Sequence, residues 1–80
     1  MASMNVITIR YFASLRERLA RSEDQVEAAG LRCVADVWSH VSAESLPANT
    51  LVAINQEYAT LASVVRAGDE VAFFPPVTGG

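Results

Sequence analysis

The chemistry this sequence can offer is concentrated in its last residues, Phe73-Phe74-Pro75-Pro76-Val77-Thr78-Gly79-Gly80. Gly79 and Gly80 have no Cβ, so they can thread a channel too narrow for any other residue. They also leave the Gly80 carboxylate without a neighbouring side chain to obstruct an incoming phosphate or nucleophile. Pro75 and Pro76 have no N–H to give a β-ladder and favour a polyproline II path, which ends sheet pairing and aims the chain outward. At about 3.1 Å per residue, the segment from Pro75 to Gly80 reaches about 19 Å. With glycine near 7% of residues, a chance Gly-Gly at one given place has a probability of about 0.5%. The expected working group is therefore the Gly80 carboxylate. It is carried on an arm of residues 75–80 that leaves a folded body of residues 1–74.

No other grouping in the chain competes with that arm. Cys33 precedes a predicted helix, where a thiol can be acidified, but a buried structural cysteine is the ordinary reading. A single cysteine excludes an internal disulfide and a site of paired thiolates. His40 lies off the apolar stripe of its helix and has no acid or cysteine partner nearby in sequence, so it reads as a solvated surface residue. Asp69 and Glu70 read as turn chemistry and solubility. No metal site, catalytic triad or phosphate loop can be assembled, and general acids and bases must come from partners.

The 80 residues are 51% apolar and 19% charged, which is the composition of one small globular domain. A net charge of −3 argues against nucleic acid as the main partner. Arginines interrupt every apolar run before it reaches the roughly 18 residues of a membrane span. No basic-then-apolar leader is visible, so a reducing, cytoplasmic setting is expected. All six basic residues are arginine and lysine is absent. An activated acyl group on the arm would therefore meet only one amine of its own chain, that of the N-terminus.

The body must hold this arm. Asn5 to Phe12 alternates like a strand, with Ile7, Ile9 and Tyr11 on one face and Val6, Thr8, Arg10 and Phe12 on the other. Ser14-Leu15-Arg16-Glu17 reads as a capping box opening a short helix, with Leu15 and Leu19 inward and Glu17 paired with Arg21. Gln25 to Ala28 is a brief strand with Val26 and Ala28 inward, broken by Gly30. A helix is predicted over Val34 to Glu44, with Val34, Val37, Trp38 and Val41 at i, i+3, i+4 and i+7 and Asp36 in its first turn. Leu51 to Ile54 reads as a strand, Asn55-Gln56 as a turn into a short strand around Tyr58, and Leu61 to Arg66 as a loop or single helical turn. Gly68-Asp69 turns the chain into a last strand, Glu70 to Phe74, with Val71 and Phe73 inward and Ala72 and Phe74 outward. The order β-α-β-α-β-β-β suggests an α+β fold, one sheet with helices on one face.

Gly68-Asp69-Glu70-Val71-Ala72-Phe73-Phe74-Pro75-Pro76-Val77-Thr78-Gly79-Gly80 resembles the C-terminus of the molybdopterin synthase small-subunit family. Weaker likeness runs through Tyr11-Phe12-Ala13 into Leu15-Arg16-Glu17, through Val34-Ala35-Asp36-Val37, and through Ala53-Ile54-Asn55-Gln56. The family tends to place a hydroxyl residue where Cys33 stands, so a side-chain cap on that helix is not expected. The resemblance implies the ubiquitin-like β-grasp fold, a mixed sheet of about five strands. It also implies a non-catalytic sulfur carrier. An ATP-using, ubiquitin-activating-type adenylyltransferase would adenylate Gly80, and a sulfur-donor protein would convert it to a thiocarboxylate. The loaded arm would enter the synthase large subunit, in a heterotetramer, and deliver sulfur to cyclic pyranopterin monophosphate for molybdenum cofactor biosynthesis. The chain itself would bind no cofactor or metal. Gly79 and Gly80 carry the chemistry, and Phe12, Tyr58 and Phe74 form an apolar docking patch with Arg16 as a nearby polar contact. Pro75, Pro76, Val77 and Thr78 are the stretch that the partner grips. Rival readings are a carrier for thiamine thiazole, cysteine or tRNA thiolation, a protein modifier joined through Gly80, and a plain interaction domain.

Overall fold

A computed structural model of the chain describes residues 5–76. Its elements are β1 (Val6–Tyr11), α1 (Ser14–Leu19), β2 (Glu23–Glu27), α2 (Val34–Val41), β3 (Leu51–Ile54), β4 (Glu57–Ala59) and β5 (Glu70–Phe74). One five-stranded sheet has the order β2-β1-β5-β3-β4. The β1–β5 pair is parallel and the β1–β2, β3–β5 and β3–β4 pairs are antiparallel. The last strand in sequence thus lies in the middle of the sheet, between the first strand and the third. Both helices pack on one face, which is the β-grasp arrangement.

The alternation of β1 sets the two faces. Ile7, Ile9 and Tyr11 are buried, and they meet Val71 and Phe73 of β5, Val52 of β3, Leu15 of α1, and Val34, Val37 and Trp38 of α2. Phe73 is the centre of this core. The Trp38 ring meets it edge-on at 5.2 Å and the Tyr11 ring stacks at 6.4 Å, both separations typical of favourable aromatic pairs. The register Ile9↔Val71 and Tyr11↔Phe73 on one side, and Ile54↔Val71 and Val52↔Phe73 on the other, places β5 side chains against both neighbours.

The structure corrects several local expectations. The capping box does not form. Ser14 is already helical, the residue before it is Ala13 at φ 54°, and no side chain caps the helix. The turn is closed instead by backbone: the Leu15 N–H donates to the Phe12 carbonyl at 3.1 Å and the Glu17 N–H to the Ala13 carbonyl at 3.2 Å. Arg21 does not pair with Glu17. Its Nε lies 2.8 Å from Asp24 on β2, and its guanidinium donates to the Val41 carbonyl at 3.1 Å. That arginine ties the end of α1 to β2 and to the end of α2, contacts that sequence neighbours cannot supply. β2 also begins earlier than expected, at Glu23 rather than Gln25.

Helix α2 carries the expected stripe but stops at Val41, short of Glu44. The indole N–H of Trp38 donates to the Glu44 carbonyl at 2.8 Å, and Ser42 Oγ accepts the Glu44 N–H at 3.1 Å. These bonds hold residues 42–44 in a non-helical return. At its other end α2 needs no side-chain cap at Cys33, because the loop after β4 supplies carbonyls. The N–H groups of Val34 and Ala35 donate to Ser63 and Leu61 at 3.1 and 3.0 Å. Two of the orphan donors of a helix start are thereby satisfied. The same loop buries Val65 in the core and bridges Cys33 through Val64.

Candidate functional site

The site is built where β5 leaves the sheet. Outward-facing positions of β1, β5, β3 and β4 form the surface opposite the helices, and its floor is small: Ala72 pairs with Ala53, and Ala53 with Tyr58. On this floor three aromatic rings converge. Phe74 meets Phe12 edge-on at 6.5 Å and lies 6.0 Å from Tyr58. Tyr58 is 77% exposed and Phe12 43%. Each ring has a local cause. Phe12 continues the outward face of β1, where its N–H donates to the Phe73 carbonyl at 3.2 Å. Tyr58 is delivered by a tight hairpin whose central residues, Asn55 and Gln56, both have positive φ, the condition for a type I′ turn.

That hairpin is tied to the start of β5. Asn55 Nδ2 donates to Asp69 at 3.0 Å, the Glu70 N–H donates to Asn55 Oδ1 at 3.0 Å, and the Asn55 N–H donates to the Glu70 carbonyl at 2.8 Å. Asp69 also accepts the Arg66 N–H at 2.8 Å, so it serves the turn as expected. Glu70 instead meets Arg10 across the outer face at 3.4 Å, an exposed pair of small energetic worth. With Phe12, Gln56 and Ala72 this pair lines a depression of about 410 Å³ beside the aromatic rings.

Phe74 is the last residue of β5, and Pro75 follows it directly. Neither Pro75 nor Pro76 belongs to a strand, and Pro76 is exposed. On the side of α1 the two prolines, with Ser14, Leu15, Arg18, Pro47 and Thr50, line a groove of about 440 Å³. The root of the arm is thus flanked by aromatic rings on one side and by α1 on the other. Val77, Thr78, Gly79 and Gly80 lie outside the described residues.

Phe12, Tyr58 and Phe74 are therefore brought together as one aromatic cluster, and Pro75 and Pro76 follow Phe74 in the chain and line the groove on the α1 side. Arg16 is exposed on α1, but the arginine lining the groove with the prolines is Arg18, and the one beside Phe12 is Arg10. Arg10 was legible as an outward neighbour of Phe12 by strand alternation. Arg18 was not, because its place depends on how α1 packs on the end of β5.

Beneath the patch, Tyr11 anchors β1. Its hydroxyl donates to Asp24 at 2.9 Å, and the Arg21 guanidinium lies 5.8 Å from the centre of its ring. Burial, reinforced by the hydrogen bond to Asp24, pushes the Tyr11 phenol up to about 12. It stays neutral over the physiological range and acts as a structural donor. Among the described residues no three His, Cys, Asp or Glu side chains converge as metal ligands, and no helix is long and apolar enough to cross a membrane.

Comparison with known proteins bears on this arrangement. The model of the ThiS family matches residues 9–80. The molybdopterin synthase sulfur carrier subunit of Escherichia coli is 35% identical over 82 residues, covering 94% of this chain and 100% of that protein. The protein of the same name from Haemophilus influenzae is 70% identical over 30 residues, a match that spans 38% of this chain and only 37% of that relative. Among solved structures, SAMP1 from Haloferax volcanii, a small archaeal modifier protein, superposes with a TM-score of 0.76 at 28% identity, covering 94% of this chain and 99% of that one.

Proposed function

The chain belongs to the ThiS family, and from that premise we propose that it is the sulfur-carrier subunit of a molybdopterin synthase, with the Gly80 carboxylate as the group charged with sulfur. The observation that carries this reading is the continuity of patch and arm. Phe74 belongs to the aromatic cluster and is also the residue immediately before Pro75. A partner that covers the cluster therefore fixes the root of the arm, and Gly80 lies only six residues beyond that root. Docking and delivery are one event.

The chemistry follows from the carboxylate. It is a poor electrophile until an oxygen becomes part of a leaving group. A Gly80 oxygen attacks the α-phosphate of ATP on an activating enzyme and pyrophosphate leaves. The outer sulfur of a donor-protein persulfide then attacks the Gly80 carbonyl carbon and AMP leaves, giving an acyl disulfide. A thiol attacks the donor's sulfur, the S–S bond breaks with formation of a protein disulfide, and the thiocarboxylate is released. That soft nucleophile transfers its sulfur to cyclic pyranopterin monophosphate in the large subunit, and water restores the carboxylate. The described residues of this chain supply docking and orientation, and the proton transfers belong to the partners.

Intact-mass measurement of the chain drawn from cells tests the proposal. The expected result is a species in which one oxygen of the C-terminal peptide is replaced by sulfur, accompanied by a synthase large subunit. Deleting Gly80 should abolish that species and sulfur transfer while circular dichroism stays unchanged; undiminished transfer by the deletion variant refutes the proposal. The likeness to a small archaeal modifier protein favours one second reading, a modifier joined through Gly80 to lysines of other proteins. Gly-Gly remnants on target lysines, derived from this arm, would separate it from the first.

A further inference from the structure

The Lys and Arg side chains of this chain are all arginine, six of six, and the structure gives that composition a consequence. An acyl group activated at Gly80 is open to attack by any amine that reaches it. A lysine amine is such a nucleophile once deprotonated, whereas a guanidinium stays protonated and delocalised and does not accept acyl groups. Reach decides which position matters. Arg18 shares its groove with Pro75 and Pro76, and the four residues Val77 to Gly80 extend at most about 14 Å past them. The Arg18 side chain is 58% exposed, and among the described residues its one ion pair is a long contact to Glu44 at 3.8 Å. Arg66 lies before the start of β5, and the six steps of extended chain from Glu70 to Pro76 put about 20 Å between that end and the point where those four residues begin.

Resting on the reading of Gly80 as the activated end, we propose that this lysine-free surface, with arginine rather than lysine at position 18 beside the arm's root, leaves the activated acyl group no side-chain amine to capture it on its own domain and so favours an external amine as acceptor. A second copy of the chain offers no lysine either, so copies joined to a target cannot be extended into lysine-linked chains.

The test uses the full chain carrying a small-thiol thioester at Gly80, made by intein cleavage, so that no activating enzyme is involved. Wild type, Arg18→Lys and Arg66→Lys are incubated at mildly alkaline pH and followed by intact mass and peptide mapping. In a lysine variant that cyclises, the amine nitrogen bonds to the Gly80 carbonyl carbon, the C–S bond breaks, and the thiol departs with the amine's proton. A tether this short gives an effective concentration on the order of mM, so at tens of μM protein R18K should cyclise about twenty-fold or more faster than copies cross-link. The mapped isopeptide should join position 18 to Gly80, while wild type and R66K should lose the thioester by hydrolysis. Cyclisation of wild type through its N-terminal amine at the R18K rate overturns the proposal, as does equal product from R18K and R66K. Either failure leaves the sulfur-carrier reading standing, whereas absence of sulfur on Gly80 in cells removes that reading alone. Thermal melts of the three proteins confirm that each is folded.

Discussion

Truncating the three aromatic positions Tyr58, Phe12 and Phe73 one at a time should separate docking from folding in the order of their exposure. Tyr58 is 77% exposed, Phe12 43% and Phe73 0%. An enclosed tyrosine buries about 150–250 Å², so Tyr58 leaves about 115–190 Å² for a partner and about 35–60 Å² already covered by the fold. At about 25 cal/mol per Å² these areas correspond to about 3–5 kcal/mol available to binding and about 1–1.5 kcal/mol to folding, both upper bounds. Association spends part of the first figure on lost freedom. Tyr58→Ala should therefore cost about 2 kcal/mol of partner affinity, about thirty-fold in Kd, and about 1 kcal/mol or less of stability. In a domain this size that stability loss lowers Tm by about 4–8 °C. Phe73→Ala reverses the balance, since removing a core phenylalanine costs about 3–5 kcal/mol of stability. Phe12→Ala falls between. Calorimetric titration against the co-purifying partner, paired with thermal unfolding of each variant, measures both quantities. If Tyr58→Ala left Kd within about twofold while lowering Tm as much as Phe12→Ala, the outer face would not be the docking surface.

Two further outcomes follow from the body of the domain. The Tyr11 phenol is raised from 10.0 to about 12 in the folded protein, chiefly by burial and then by its bond to Asp24. Folding therefore favours the neutral phenol, so its contribution is complete below pH 10, weakens above it, and is lost as pH rises through about 12. In a Tyr58→Phe background, where Tyr11 is the one remaining phenol, denaturant midpoints should fall across that window. Adding Tyr11→Phe should flatten this fall and cost about 1.5 kcal/mol at neutral pH, the low end for a bond to a charged acceptor because Asp24 is partly exposed. Separately, Ala13 holds φ 54° and ψ −128° where β1 passes into α1, a region that glycine adopts without strain. Ala13→Gly should raise stability by about 1 kcal/mol, read as a higher denaturant midpoint, whereas an unstrained alanine at that position predicts a loss, because glycine adds entropy to the unfolded chain.

The sequence by itself determined every strand and both helices in their order, from turn residues at the short elements and, at the longer ones, from a periodicity that only one backbone can use. Ile7, Ile9 and Tyr11 repeat every second residue, and Val34, Val37, Trp38 and Val41 repeat on a helical stripe; each set is buried or half-buried as read. It also determined the outward aromatic faces of Phe12 and Phe74, since alternation assigns a side to each residue once its neighbours are assigned. Tertiary structure alone decided what depends on partners distant in sequence. Nothing local pairs β1 with β5 in parallel or sets β5 at the centre of the sheet. The loop carbonyls that cap α2, the Trp38–Glu44 bond that stops it, and the exchange of Glu17 for Asp24 as the partner of Arg21 all join residues from different elements. Arg18 reached the arm's root, where Arg16 did not, for the same reason. Periodicity reports which way a side chain faces, and only the packed chain reports what it meets there.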